Sequence, residues 1–129
     1  MKKIVLVVLA ACMMCLCFVG CNNTAKNQVK YVLYCGLNDA DTGSQEMTVA
    51  DAQDAARKIV TDKGLGYTEF VTYGAYTENG EIKGNDTLVY VLFYVEKADA
   101  QSVAKEIKET LNLSSVLVEE VADSYGFAE

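Results

Sequence analysis

The pattern of apolar and polar positions in the first half of the chain predicts a strand followed by a helix. Residues 29–37 are rich in β-branched and aromatic side chains, which is typical of a strand. Residues 49–63 repeat apolar side chains at three- and four-residue spacing, which predicts a helix that ends before Gly64. Thr48 and Asp51 have the spacing of a capping box, so we expect the helix to begin there.

A hairpin is predicted next. Residues 67–77 and 87–95 have strand composition, and Asn79-Gly80 between them accepts the positive φ angles of a type I′ turn. The polar residues 84–86 are compatible with a bulge or a second turn before the later strand.

A second helix over residues 100–111, with Asp99 as its N-cap, and a final strand over residues 115–121 complete the pattern. The resulting order is β-α-β-β-α-β. Two β-α units joined by a hairpin indicate an α+β, ferredoxin-like sandwich, in which a four-stranded antiparallel sheet carries both helices on one face.

The chain begins with a charged and then strongly apolar segment. Lys2 and Lys3 precede an apolar run over residues 4–19, and Gly20 stands before Cys21. This arrangement resembles a bacterial lipoprotein signal. The apolar run has 16 residues, whereas a membrane-spanning helix needs about 20. Its length therefore favours a processed signal over a retained transmembrane anchor.

The lipoprotein resemblance implies that Cys21 begins the mature protein and carries diacylglycerol, with acyl chains such as palmitate. The protein would then lie in the bacterial cell envelope, outside the cytoplasm, anchored to a membrane by lipid. Phe18 stands where such signals usually carry Leu, and cleavage before Cys12 is the competing alternative. The implied segments are a signal (1–20), a lipidated cysteine with a flexible tether (21–29), a domain (30–122) and a tail (123–129).

Three short features of the domain carry a second resemblance. They are the stretch from Tyr34 to Leu37, the loop with Asp and Gly before Thr48, and the Asn79-Gly80 hairpin. The domain is similar in these features to small secreted bacterial domains of uncharacterised function. The likeness covers most of residues 30–120 and implies no catalytic residues.

Composition narrows the classes of function. The whole chain has a formal charge of −7, and the part after Cys21 holds nine basic and all 18 acidic residues, which makes its charge −9. Such an acidic surface repels phosphate backbones, so we expect no nucleic-acid partner. The chain has no histidine, which excludes Ser-His and Cys-His nucleophile pairs and His-ligated metal sites. We predict no cofactor and no catalytic residue.

The third predicted strand is apolar on both faces, which is unusual for a sheet covered by helices on one side. We expect the face bearing Tyr90 and Tyr94 to be the open one. Three interpretations stay open: a central strand that is simply apolar, self-association through the sheet, and a tyrosine-lined ligand groove. The predicted interface or ligand residues are Tyr31, Leu33, Tyr73, Leu88, Tyr90, Leu92 and Tyr94.

Two further features are candidates for chemistry. Asp39, Asp41 and Glu46 cluster in one loop and are weak calcium-site candidates, but their spacing departs from that of an EF-hand, so a solvated turn is preferred. Cys35 lies within a predicted strand and has no histidine to activate it, so we expect a buried, structural thiol.

These observations predict a membrane-anchored, non-enzymatic module. It would bind an envelope protein, a small ligand or a second copy of itself through the open sheet face. The alternative is an envelope enzyme that works without histidine, using carboxylates and tyrosines on a substrate such as a glycan.

Overall fold

The computed structural model describes residues 28–123, which form a four-stranded sheet and two helices. The β-α-β-β-α-β order and the all-antiparallel sheet confirm the predicted ferredoxin-like α+β sandwich. Cys21, most of the predicted tether and the tail after residue 123 lie outside the described residues. The elements are β1 (Gln28–Gly36), α1 (Val49–Asp62), β2 (Gly66–Glu78), β3 (Glu81–Phe93), α2 (Lys97–Thr110) and β4 (Val116–Asp123).

The sheet has the order β2-β3-β1-β4, so β1 and β3 are central and β2 and β4 are the edges. Leu33 of β1 pairs with Tyr90 of β3 and with Val118 of β4. Because successive side chains of a strand point to opposite faces, this register fixes which alternate side chains of each strand face the helices. Neither helix between residues 28 and 123 is long and apolar enough to cross a membrane.

The hydrophobic core lies between one face of the sheet and the two helices. Small and branched residues of each helix form its inner stripe, and the alanines allow the helices to approach the sheet closely. Burial of each large aliphatic side chain stabilises the fold by about 1.5–3 kcal/mol. The buried helix residues are Ala52, Ala56, Ile59 and Val60 in α1, and Ala100, Val103, Ala104 and Ile107 in α2.

The face that the sequence predicted to be open is the face that the helices cover, so that assignment was wrong. Its members Tyr31, Leu33, Leu88, Tyr90 and Leu92 all belong to the buried core. Tyr73 and Tyr94 are exposed, but Tyr73 lies on the hairpin beyond the helices and Tyr94 follows the end of β3. Because β3 has apolar residues on both faces, its sequence alone does not show which face is buried. Packing against α1 and α2 determines the buried face.

Local signals in the sequence had mixed outcomes. The Thr48 hydroxyl oxygen accepts a hydrogen bond from the Asp51 amide (3.2 Å), which confirms the helix start. Asn79 and Gly80 have φ angles of 52° and 82°, which confirms the hairpin turn. Asp99 is not the N-cap of α2, because the helix begins at Lys97 after Glu96, whose side chain makes no capping hydrogen bond.

The strand β3 is longer than predicted. It begins at Glu81 and pairs with β2 in continuous register through Gly84, Asn85 and Asp86, where a bulge or turn was expected. The polar side chains there do not end the strand, because Asn85 and Asp86 are only half-buried and the pairing with β2 continues past them. The Asp86 carbonyl also accepts a hydrogen bond from the Leu37 amide (2.9 Å).

A partly exposed ion pair attaches α1 to the edge strand β2, with 47% of the Arg57 side chain and 9% of the Glu69 side chain accessible to solvent. Arg57 donates through Nε and Nη2 to the two carboxylate oxygens of Glu69, both at 2.8 Å, and Gln53 donates to the same carboxylate. Burial of Glu69 raises its pKa, but the hydrogen bonds from Arg57 and Gln53 outweigh this effect and hold the pKa below its usual value. The Tyr90 hydroxyl near this pair is buried without a hydrogen-bond partner of good geometry among the described residues.

We expect Arg57→Met to lower the free energy of unfolding near pH 7, because it leaves the largely buried Glu69 carboxylate without its charged partner. Since the pKa of Glu69 is lowered in the folded state, the contribution of the pair is present above the ordinary value of 4.5 and is lost as the pH falls through the lowered pKa. Urea unfolding at several pH values measures this difference.

Lys58→Met is the matched control, because Lys58 pairs with Asp62 on the exposed side of the same helix. We expect this variant to change stability less than Arg57→Met does. An Arg57→Met penalty that is equal at pH 7 and at a pH low enough to protonate Glu69 would contradict the proposed role of the ion pair.

Candidate functional site

The sheet face opposite the helices is the first candidate surface. Each strand contributes an apolar or aromatic residue to it: Val32 and Tyr34 from β1, Phe70 from β2, Val89 from β3 and Leu117 from β4. Val89 is fully buried in the middle, whereas Phe70 and Leu117 are 48% and 64% exposed. Both described helices pack on the other side. We call these five residues the open-face patch.

Hydrogen bonding and charge on this face differ from those of the rest of the molecule. The Tyr34 hydroxyl donates to the Glu119 carboxylate (2.9 Å), and this hydrogen bond is the main cause that raises the pKa of Tyr34. Between residues 68–74, 87–93, 30–36 and 117–121 the face carries one basic residue, Lys30, and one acidic residue, Glu119. The centre of the face is therefore formally neutral on an acidic protein.

The β2–β3 hairpin extends beyond the rest of the sheet. The pairing of β1 with β3 ends at Gly36 and Thr87, so residues 73–86 form a two-stranded arm. Tyr73, Tyr76 and Ile82 are exposed on this arm. The Tyr73 ring lies directly over Gly84, where a Cβ atom would collide with it. The arm thus carries aromatic side chains on both of its faces.

An acidic cleft of about 340 Å³ opens where the β1–α1 loop meets the end of α2. It has an apolar floor, and carboxylates stand around its rim. Its lining residues are Leu37, Asp39, Glu46, Met47, Thr48, Asp51, Leu111 and Leu113.

The carboxylates of the acidic cleft are engaged within their own loop. Asp39 accepts from the backbone amides of Asp41 (2.9 Å) and Thr42 (3.0 Å), and these hydrogen bonds lower its pKa. Asn112 donates to both Asp39 and Asp41, while Glu46 accepts from the Thr42 hydroxyl. Within residues 28–123 no group of three metal-ligating side chains converges on one point, so the loop is organised as a hydrogen-bonded turn.

A second cleft, of about 200 Å³, lies at the end of the open face beside the arm. It is formed by the end of β1, the arm and the loop between α2 and β4. Its lining contains hydroxyl, amide and aromatic groups and no charged side chain. We call it the uncharged cleft, and its residues are Gly36, Asn38, Tyr76, Asn85, Ser114 and Ser115.

Cys35 is buried in the core beneath the helices, as the sequence predicted. Burial raises the pKa of its thiol to about 12, so the nucleophilic thiolate is scarce at neutral pH. The geometry gives Cys35 a packing role.

Sequence reasoning missed the residues that make both surfaces. Phe70 and Leu117 were hidden by the two-sided apolar pattern of their neighbours in the sheet. Asn85 and Tyr76 come together only because the arm is long and its register is continuous. One signal was available in the sequence. The segment from Gly84 to Asp86 directly precedes the most apolar predicted strand and contains no proline, so it is able to continue that strand.

The fold and these surfaces define a class: a ferredoxin-like sandwich with a sheet face that no described helix covers and an extended hairpin. No protein-family model matches the chain, and no curated protein matches it. Several solved structures have a similar fold. A phage SAM lyase in complex with S-methyl-5′-thioadenosine is 21% identical at a TM-score of 0.58, over 76% of this chain and 83% of its own. The same class of phage enzyme without ligand is 18% identical at a TM-score of 0.54, over 78% and 92% of the two chains.

A second kind of solved protein has the same fold. The periplasmic divalent cation tolerance protein CutA from Archaeoglobus fulgidus is 10% identical at a TM-score of 0.53, over 77% of this chain and 87% of its own. At these sequence identities, the likeness to the phage enzyme and to CutA shows a shared fold and nothing further.

Proposed function

We propose that this protein is a lipoprotein of the bacterial cell envelope whose domain associates with a second copy of itself through the open-face patch. Lipid on Cys21 would hold the domain to the membrane outside the cytoplasm. The observation that carries the proposal is the patch itself: Phe70 and Leu117 of the two edge strands are exposed, and Tyr34 is half-buried, on a face that no described helix covers. Extended apolar patches of this kind mark interaction surfaces more often than free solvent-facing surfaces.

Charge permits a second copy as the occupant of the patch. The domain is acidic overall, but the open face carries one charge of each sign, Lys30 and Glu119, so like-charge repulsion between two copies that meet through it is small. Anchoring to one membrane would also raise the local concentration of the copies.

The position of the anchor agrees with this arrangement. The tether would enter β1 at Gln28, whereas both clefts and the arm lie beyond the other end of β1, at Gly36. At about 3.3 Å per residue, the strand separates these ends by roughly 30 Å. The clefts would then lie at the end of the domain that is farther from the membrane. The sheet faces would be roughly perpendicular to the membrane plane and would point toward neighbouring copies.

The enzymatic alternative has less support in the geometry. Among the described residues, carboxylates come together at the acidic cleft, and there hydrogen bonds from backbone amides lower the pKa of Asp39, which makes it a poor general acid. The buried Tyr90 hydroxyl and the half-buried Glu69 carboxylate lie outside both clefts.

A second candidate function is the binding of a neutral nucleoside. The observation that favours it is the uncharged cleft, which offers hydroxyl, amide and aromatic groups in a strongly acidic protein. The phage protein of the same fold holds S-methyl-5′-thioadenosine, which carries no phosphate. Binding of such a ligand is compatible with self-association, because the cleft lies at the membrane-distal end of the open face.

We expect Cys21→Ser to release the protein from the membrane, because lipid attaches to the cysteine sulfur and acyl chains supply the anchoring energy, about 0.8 kcal/mol per buried CH₂. Immunoblotting of membrane and soluble fractions measures the release. Cys17→Ser is the matched control and should leave the protein in the membrane fraction. Full retention of the Cys21→Ser protein would contradict the lipoprotein proposal.

We expect Phe70→Asp and Leu117→Asp each to weaken self-association at least tenfold, about 1.4 kcal/mol, because an interface carboxylate would be buried without a partner. Light scattering on the full-length protein in detergent measures the assembly state, and circular dichroism checks the fold.

Ile82→Asp is the control for this experiment, because Ile82 is equally large and more exposed but lies on the arm and outside the patch. It should assemble like the unaltered protein. A monomeric unaltered protein at every concentration, or equal behaviour of all three variants, would count against the open-face patch as the interface.

A further inference from the structure

The uncharged cleft has one side chain whose orientation is fixed by the backbone beneath it. The side-chain oxygen of Asn85 accepts hydrogen bonds from the backbone amides of Leu37 (2.7 Å) and Asn38 (3.2 Å). The amide orientation is assigned from this pattern, in which both neighbours are donors. The NH₂ group of Asn85 then carries two hydrogen atoms and points away from these two amides, toward acceptor atoms.

Gly36 makes this placement of Asn85 feasible. A Cβ atom at position 36 would lie 2.8 Å from the terminal amide of Asn85, which is closer than real Cβ atoms approach. Asn85 therefore rests flat against the glycine backbone at the end of β1. The side chain is pinned by the strand beneath it and by two backbone donors, so its NH₂ group is a preorganised donor at the wall of the cleft.

The other walls supply complementary groups. The Ser114 hydroxyl donates to the backbone carbonyls of Asn38 (3.1 Å) and Asp39 (3.0 Å), so its lone pairs remain as acceptors. Tyr76 is half exposed on the arm and offers a ring face. Ser115 adds a hydroxyl on the β4 side. A flat ring that stacked on Tyr76 would meet a fixed donor at Asn85 and hydroxyls opposite.

We infer that Asn85 is the specificity-determining residue of this cleft, and that its fixed NH₂ group donates to a ring-nitrogen or carbonyl acceptor of a neutral nucleoside stacked on Tyr76. This inference rests on the second candidate function proposed above. Aromatic stacking tolerates any base, so the selection comes from the donor. The absence of a cationic side chain among the lining residues, together with the acidic surface around them, selects against phosphorylated ligands.

The experiment is a calorimetric titration of the full-length protein in detergent with S-methyl-5′-thioadenosine, repeated with adenosine and with adenosine 5′-monophosphate. We expect the two neutral nucleosides to bind and the monophosphate to bind at least tenfold more weakly. Asn85→Asp should weaken nucleoside binding at least tenfold while leaving the melting temperature nearly unchanged, because a carboxylate accepts the same two backbone hydrogen bonds but donates none.

Two further variants separate a binding role from other effects. Tyr76→Ala should also weaken binding, because it removes the stacking surface. Asn79→Asp adds the same negative charge at the tip of the arm, away from the cleft, and should bind like the unaltered protein.

Each outcome bears on a different claim. If the unaltered protein binds none of the nucleosides at concentrations up to about 10 mM, which corresponds to less than about 3 kcal/mol, the nucleoside function is wrong and the role of Asn85 fails with it. If nucleosides bind and Asn85→Asp binds them equally well, or the monophosphate binds as tightly as adenosine, the role of Asn85 and of the uncharged lining is wrong while the ligand function stands.

Discussion

Leu33 of β1 stands opposite Tyr90 of β3, and the rest of the molecule depends on this register. Both central strands have apolar side chains on each face, so a shift of one residue would exchange the covered and the open sides of the sheet. Packing against α1 and α2 selects the observed side, because it buries the longer leucine and tyrosine side chains and leaves Phe70 and Leu117 on the opposite face. The ion pair between Arg57 and Glu69 reinforces the choice by attaching a helix to the edge strand on the covered side.

Two functional surfaces follow from the same register. The open-face patch results because β3 keeps Val89 on the side away from the helices. The uncharged cleft results because the β2–β3 ladder continues without a break past the end of β1, which carries Tyr76 and Asn85 to the point where Gly36 and the α2–β4 loop meet. An arm that ended sooner would leave the end of the sheet open and would not form the cleft. The surfaces are thus neighbours on one face, with the cleft at the end opposite the start of β1.

The accuracy of each sequence-based prediction depended on how far apart along the chain the interacting residues lie. The Thr48–Asp51 cap and the Asn79-Gly80 turn were predicted correctly, because each is decided by residues a few positions apart. The β-α-β-β-α-β fold was predicted for the same reason. The open face was assigned wrongly, because the choice between Val89 and Tyr90 depends on helices that are distant in sequence. Residues 84–86 were expected to form a bulge or a second turn, since the partners of Asn85, the amides of Leu37 and Asn38, are nearly fifty residues away.

The proposed self-association requires that the face opposite the helices meets another copy of the protein at the membrane. Thr72 and Ala75 test it directly, because both are exposed residues of β2 that point to opposite faces, Thr72 to the open side and Ala75 to the other. Single cysteines at these positions, oxidised in intact membranes, report which face approaches a neighbouring copy, and the buried Cys35 stays unreactive in both. We expect a disulfide-linked dimer for Thr72→Cys and little for Ala75→Cys. Cross-linking through Ala75→Cys alone would contradict it.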